Sequence, residues 1–132
     1  MPFPVESKYI ESCEDKLGLK FPEAYKQGMK VLNGGEIETS EDLWILHPFF
    51  DTSDRKRIKR TSNHIIAETQ SSKGCAGYPD GAITIGMNEC GDLLVLLPDE
   101  TNLEDVVYRW DHETGETKIL FSTAEILMNA RR

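Results

Sequence analysis

The hydrophobic pattern is clearest between residues 82 and 98, where two short apolar runs flank a polar turn. In the first run Ile83, Ile85 and Met87 alternate with smaller or polar residues, and this period of two predicts a half-buried strand. The second run, residues 93–97, is apolar at every position, which is typical of a central strand covered on both faces. The turn at 88–91 ends in a glycine that adopts positive φ freely. The pattern therefore predicts a β-hairpin that anchors the core.

The N-terminal pattern predicts two helices. Ile10, Cys13 and Leu17 recur at steps of three and four residues, which indicates one apolar helix face, and Gly18 follows as a left-handed cap. Pro22 suits the first position of a second helix, where its missing N–H costs nothing. Three turn-prone residues end that helix: Asn33, Gly34 and Gly35.

The remaining pattern predicts three more strands, at 43–46, 106–111 and 117–121, and two more helices. Residues 53–72 are interpreted as one helix capped by Ser53 or Asp54. Ser122 and Glu125 have the spacing of a capping box for a terminal helix over 123–130. The predicted fold is α+β: one domain over 1–132, with a mainly antiparallel sheet of about five strands and helices packed around it.

Length and composition favour a single globular domain. The chain has 132 residues, 39% of them hydrophobic and 29% charged. Its longest apolar run, 93–97, is far shorter than the ~20 residues of a membrane-spanning helix, and the N-terminus does not resemble a signal peptide. The three cysteines, Cys13, Cys75 and Cys90, form no C-x-x-C motif, which favours reduced thiols in a cytoplasmic protein.

Charge points to a kind of partner. A formal net charge of −8 repels nucleic acids and anionic membranes and attracts a basic protein, although acidity also serves solubility alone. The basic block at 55–60 is interpreted as a solvated helix face. Two acidic loops supply the candidate partner-binding residues: Glu36, Glu38, Glu41, Asp42, Asp99, Glu100, Glu104 and Asp105.

The sequence contains few candidates for catalytic residues. None of the three histidines lies near a nucleophile motif, and Asp111, His112 and Glu113 point to alternate faces if their strand is regular. Cys90 is expected to be packed and inert. No spacing typical of a zinc or calcium site is present, so we predict a non-enzymatic protein without a cofactor or metal.

In combination and order, several short motifs resemble those of the SUKH superfamily, which includes fungal cell-wall-assembly regulators and many bacterial immunity proteins. The resemblance extends from about Ile10 to Leu127. The residues that carry it are Phe21, Pro22, Tyr25, Asn33, Gly34, Gly35, Trp44, Gly86, Gly91, Asp92, Tyr108 and Trp110. They are interpreted as structural: the tryptophans are expected to fill a core and Asp92 to bond amides in its turn.

The resemblance implies a scaffold for protein recognition. Members encoded beside polymorphic toxins bind the toxin, often a nuclease, and block its active site. We therefore expect an immunity or antitoxin-like protein that binds a basic toxin domain. The alternatives are a regulatory or scaffold module with an endogenous partner and, more remotely, a small hydrolase, because a fold does not fix a function.

Overall fold

The computed structural model describes residues 2–132, which form five helices and eight strands. The helices are α1 (Ser7–Leu17), α2 (Glu23–Val31), α3 (Arg55–Arg60), α4 (Ile65–Ser72) and α5 (Ala124–Asn129). The strands are β1 (Gly35–Glu38), β2 (Leu43–Leu46), β3 (Ile83–Met87), β4 (Leu93–Leu96), β5 (Pro98–Asp99), β6 (Asn102–Leu103), β7 (Val107–Trp110) and β8 (Thr117–Phe121).

Six of the strands form one antiparallel sheet in the order β1-β2-β3-β4-β7-β8, and β5 and β6 form a separate two-stranded ribbon. The predicted hairpin is present as β3 and β4. Strand β4 lies between β3 and β7, as its uninterrupted apolar run predicts.

Each face of β4 contributes to a different apolar cluster. Leu94 and Leu96 belong to the main core, which includes residues of α1, α2, α4 and α5 and the fully buried Trp44. Val95 points to the outer face, where it packs with Ala82 and Trp110 in a second, smaller cluster. The burial predicted for both tryptophans is confirmed.

Helix boundaries follow the predicted turn residues with one shift. Gly18 caps α1 in the left-handed conformation, with φ of 70°, and donates its N–H to the carbonyl of Glu14. Gly34 and Gly35 also have positive φ and follow the end of α2. The N-cap of α5 is Thr123, whose hydroxyl accepts from Ile126 N–H, and not Ser122 as the capping-box spacing predicts.

The strand count of about five is slightly low, because part of a predicted acidic loop is a strand. Residues 36–42 contain most of β1 and its turn into β2. Strand β1 has a single apolar residue after its glycine, Ile37, which is fully buried, and one residue is too few to reveal alternation. The other acidic loop, 99–105, contributes to the β5–β6 ribbon.

The helix predicted over 53–72 is two helices with a break at 61–64. Asp54 caps α3 as predicted, by accepting from Arg57 N–H at 2.8 Å. The break arises because Thr61 turns its hydroxyl onto the carbonyl of Arg57 and accepts from Asp51 N–H. His64 then caps α4. No helix within residues 2–132 has the length and apolar character needed to cross a bilayer.

Candidate functional site at the turn end of the sheet

Three turns meet at one end of the sheet, which we call the turn end: residues 39–42, 88–92 and 111–116. The strand register places them there, because Ile45 pairs with Met87, Met87 with Leu93, and Leu93 with Trp110. Each pair lies within a few residues of its turn. Side chains distant in sequence are thus brought together at the ends of adjacent strands.

Asp92 joins the second and third turns. Its side chain is almost fully buried and accepts from Arg109 Nη2 at 2.6 Å. It also pairs with His112 Nδ1 at 2.7 Å and accepts from the His112 backbone N–H at 3.3 Å. The prediction that Asp92 accepts from backbone N–H groups of its own turn is wrong, because the backbone N–H that its carboxylate accepts from is that of His112 in the neighbouring turn.

The first turn is tied to this arrangement through Asp42. Asn88 donates from its amide to Asp42 Oδ1 at 3.0 Å, and Arg109 Nη1 lies 3.1 Å from Asp42 Oδ2. The Arg109 guanidinium also lies over the ring of Trp44, 5.5 Å from its centroid. One arginine therefore links two turns to the buried core.

Asp92 and its cationic partners favour one another's charged forms. Burial opposes ionisation of Asp92, but hydrogen bonds from Arg109 and His112 outweigh burial and lower the pKa of its carboxyl to about 2. The same hydrogen bond from Asp92 raises the pKa of the His112 imidazole above its usual value. Asp92 is thus held as a carboxylate, and His112 is biased toward its cationic form.

The turn end nevertheless keeps an excess of negative charge. The three turns carry seven carboxylates: Glu41, Asp42, Glu89, Asp92, Asp111, Glu113 and Glu116. Arg109 and His112 lie within 3.1 Å of two of them, the half-buried Asp42 and the buried Asp92. Their contacts with Glu41 and Glu113 are longer, at 3.8 and 3.9 Å. The side chains of Glu41 and Glu113 are 79% and 80% exposed. A strongly acidic rim therefore surrounds a fixed internal network.

An apolar row lies beside this rim on the outer face of the sheet. Ile45, Met87 and Leu93 are consecutive cross-strand partners, so their side chains share one face. Ile45 is 45% exposed and Met87 is 40% exposed, although the outer positions of a one-sided sheet are usually polar. The row continues to Glu36, the partner of Ile45 on β1, so it borders a carboxylate directly.

The structure separates the eight predicted partner-binding acids into two groups. Glu36, Glu38, Glu41 and Asp42 lie on β1 or its turn, near the Leu93 end of β4. The other four lie on or after the β5–β6 ribbon, which begins beyond Leu96 at the opposite end of β4. These eight side chains do not form one continuous surface.

Several of these acids have structural partners. Asp105 accepts from the N–H of Ala124 at the start of α5, and Glu104 accepts from the hydroxyl of Tyr108. Glu36 and Glu38 both face Arg132, at 3.5 and 3.8 Å. Asp99 and Glu100 are exposed at the tip of the ribbon. Among the eight, Glu41 is the most exposed acid at the turn end.

The clustering of Asp92, Asp111 and His112 differs from the strand-based expectation. His112 lies in the turn and not in a regular strand, so one ligand atom from each of the three side chains lies within 4.8 Å of the others. A cation here would compete with Arg109, which already compensates the charge of Asp92. The expectation that Cys90 is packed is wrong, because its place in an exposed turn leaves it accessible.

Arg109 and Asn88 are the residues of this site that sequence reasoning does not identify, and His112 is considered there only as part of a catalytic trio with Asp111 and Glu113. Arg109 lies on a strand among apolar residues, and an isolated charge in a predicted strand is a usable signal of a buried partner. Asn88 begins the predicted turn at 88–91, and its side chain accepts from Cys90 N–H and Asp92 N–H. No local pattern indicates that two turns 20 residues apart meet.

Comparison with known proteins places this architecture in a family. A family model described as the SMI1/KNR4 family (SUKH-1) matches residues 4–130. Neither the curated proteins nor the solved structures include a significant match. The match covers nearly the whole described chain and agrees with the antiparallel sheet and flanking helices. The chain therefore belongs to the SMI1/KNR4 (SUKH-1) family.

Proposed function

We propose that this protein is a non-catalytic binding module that neutralises a basic toxin domain, such as a nuclease, by covering its active site. Membership of the SMI1/KNR4 family is consistent with an immunity or regulatory protein-binding role. The proposal that the partner is a basic toxin domain rests on the surface at the turn end.

The observation that carries the proposal is the apolar row next to the acidic rim. Specific interfaces combine a central apolar patch with a polar border, and a charged border speeds association with a partner of opposite sign. Ile45 and Met87 supply exposed apolar area, and Glu41 and Glu113 supply accessible negative charge. A basic domain with an apolar centre is the partner that this combination fits.

The internal network supports the same conclusion. Asp92, Arg109 and Asp42 fix the three turns relative to one another before any partner binds. A surface held in its bound conformation loses less entropy on association. The turn end therefore has the rigidity expected of an inhibitor that binds a folded target.

The test is co-expression with the product of the adjacent gene, followed by growth rescue and measurement of affinity for the purified pair. We expect rescue by the wild-type chain and salt-sensitive binding. The double variant E41K/E113K should bind at least tenfold more weakly, mainly through a slower association rate. Glu11→Lys, on the exposed face of α1, also replaces a negative charge with a positive one. This variant should bind the toxin as tightly as the wild type does.

Two results would contradict the proposal. If the adjacent gene encodes no toxin and no growth rescue occurs, the toxin-neutralising role is wrong and a regulatory module with an endogenous partner becomes the better hypothesis. If the toxin binds but E41K/E113K and Glu11→Lys weaken binding equally, the turn end is not the interface. A variant of the apolar row, Ile45→Asp, tests the same surface without reversing a rim charge.

A further inference from the structure

A groove of about 400 Å³ lies beyond the other end of β2, away from the turn end. Its walls are α1, the segment that follows β2, and the first turn of α4. The proposed protein interface uses none of these elements. A concave space of this size is within the usual range for a small-molecule site.

The floor of the groove is apolar. Phe49, Ile65 and Cys13 are buried and form its base, and Tyr9 and Ile66 are half-buried at its sides. These side chains also belong to or pack on the main core, so the floor is fixed by the fold. The groove therefore offers a preformed apolar contact surface.

The rim of the groove is cationic, although the chain as a whole is acidic. Lys8, Ser12 and Lys16 are spaced by four residues on α1 and line the same side of the groove. Within residues 2–132, no carboxylate oxygen lies within 4.0 Å of either ammonium group. Two lysines without a carboxylate within 4.0 Å thus flank a hydroxyl at the mouth of an apolar groove, and the ammonium group of Lys8 also lies over the ring of Tyr9, 5.2 Å from its centroid.

His64 adds a neutral donor on the opposite side. Its ring packs on Phe50 at 4.5 Å between centroids, and its Nδ1 accepts from Ala67 N–H. Because Nδ1 is the acceptor, the neutral ring carries its proton on Nε2. Burial and the nearby Lys16 lower the pKa of His64, which keeps the ring neutral at pH 7.

We infer that this groove binds a small amphiphilic carboxylate, with the apolar body on the floor and the carboxylate between Lys8 and Lys16. The apolar lining disfavours a strongly hydrated anion such as free phosphate. The two ammonium groups that lack a close carboxylate disfavour a neutral apolar ligand, which would remove them from water without compensating their charge. One carboxylate has enough acceptor capacity for both ammonium groups and the Ser12 hydroxyl.

The experiment titrates the full chain with 4-phenylbutyrate and, separately, with the neutral analogue 4-phenyl-1-butanol, followed by amide chemical shifts. We expect saturable one-to-one shifts confined to groove residues such as Ser12 and Ile66, and weaker binding of the alcohol. Lys16→Gln and Lys8→Gln should each weaken 4-phenylbutyrate binding about two- to fivefold, as for one exposed charge contact. Lys73→Gln, at the far end of α4, should leave the affinity unchanged.

Ser12→Trp provides a second variant, because Ser12 is exposed and a large ring there fills the groove without entering the core. It should abolish binding while the far-ultraviolet spectrum stays that of the wild type. The inference is wrong if neither compound gives saturable shifts, or if the shifts lie elsewhere on the molecule. It is also wrong if the alcohol binds as tightly as the carboxylate.

Discussion

Asn33 and Phe49, sixteen residues apart, are joined by two hydrogen bonds that resemble a short piece of β-ladder. The Asn33 amide donates to the Phe49 carbonyl at 2.9 Å, and its oxygen accepts from the Phe49 N–H at 2.8 Å. Both residues are buried. The asparagine after α2 thus satisfies the backbone just beyond β2 at a point where no strand is available to do so.

Replacing Asn33 with alanine should reduce the free energy of unfolding by about 2–4 kcal/mol, because two buried backbone groups lose their partners. Urea denaturation measures the change. Asn102→Ala, at an exposed position of β6, is the matched control and should change stability by less than about 0.5 kcal/mol. Equal effects of the two substitutions would mean that the two hydrogen bonds contribute nothing to stability.

Gly86→Ala should destabilise the fold by about 1–3 kcal/mol. A Cβ at Gly86 would lie 2.9 Å from the carbonyl oxygen of Ile45 and within 3.3 Å of Leu94, and a backbone atom in a sheet cannot move aside cheaply. Gly74→Ala is the control, since its nearest neighbour would be 3.8 Å away. Thermal unfolding of both variants should separate them; a stable Gly86→Ala protein would show that β2 shifts freely.

His112 should titrate above its usual pKa of 6.5, because its hydrogen bond with Asp92 favours the charged ring. The resulting stabilisation is fully present below pH 6.5 and is lost as pH rises through the folded-state pKa. An NMR titration of the imidazole protons measures this pKa. In Asp92→Asn it should fall back toward 6.5, and a wild-type value at or below 6.5 would contradict the pairing.

His47 should make the fold sensitive to mild acid. It is 1% exposed, and burial lowers its pKa to about 4, so the unfolded chain binds a proton that the folded chain resists. Stability from this residue is complete above pH 6.5 and should fall by about 3 kcal/mol between pH 6.5 and 4. Unfolding free energies at several pH values measure the slope, and His47→Gln should flatten it. An unchanged slope would show that His47 is protonated inside the folded protein.

Local patterns predict those parts of the fold that depend on neighbouring residues. The cap at Gly18 and the central position of β4 are local signals, and the structure contains both of them. The alternation predicted around Ile85 is wrong, because a register shift between Thr84 and Gly86 leaves four of the five β3 residues buried and turns Met87 to the outer face. Strand β1 escaped prediction because its pairing with β2, and not its composition, makes it a strand. The break at Thr61 depends on Asp51, ten residues away.

The candidate site depends still more on distant contacts. Charge alone predicts an acidic surface, but only the strand register shows that Glu41 and Glu113 share one end of the sheet, while Glu100 lies on a ribbon beyond the other end. The apolar row also depends on the strand register. Met87 is apolar in any prediction, but its outward direction follows from pairing with Ile45.

Arg131 fastens two helices that are far apart in sequence. Its guanidinium donates to the carbonyls of Gly28, Leu32 and Gly34, at the C-terminal end of α2 and the approach to β1, while its backbone follows α5. Opening α5 would therefore uncover carbonyls of α2 at the same moment. Amide hydrogens of the two helices should exchange with solvent as one cooperative unit, although about a hundred residues separate them along the chain.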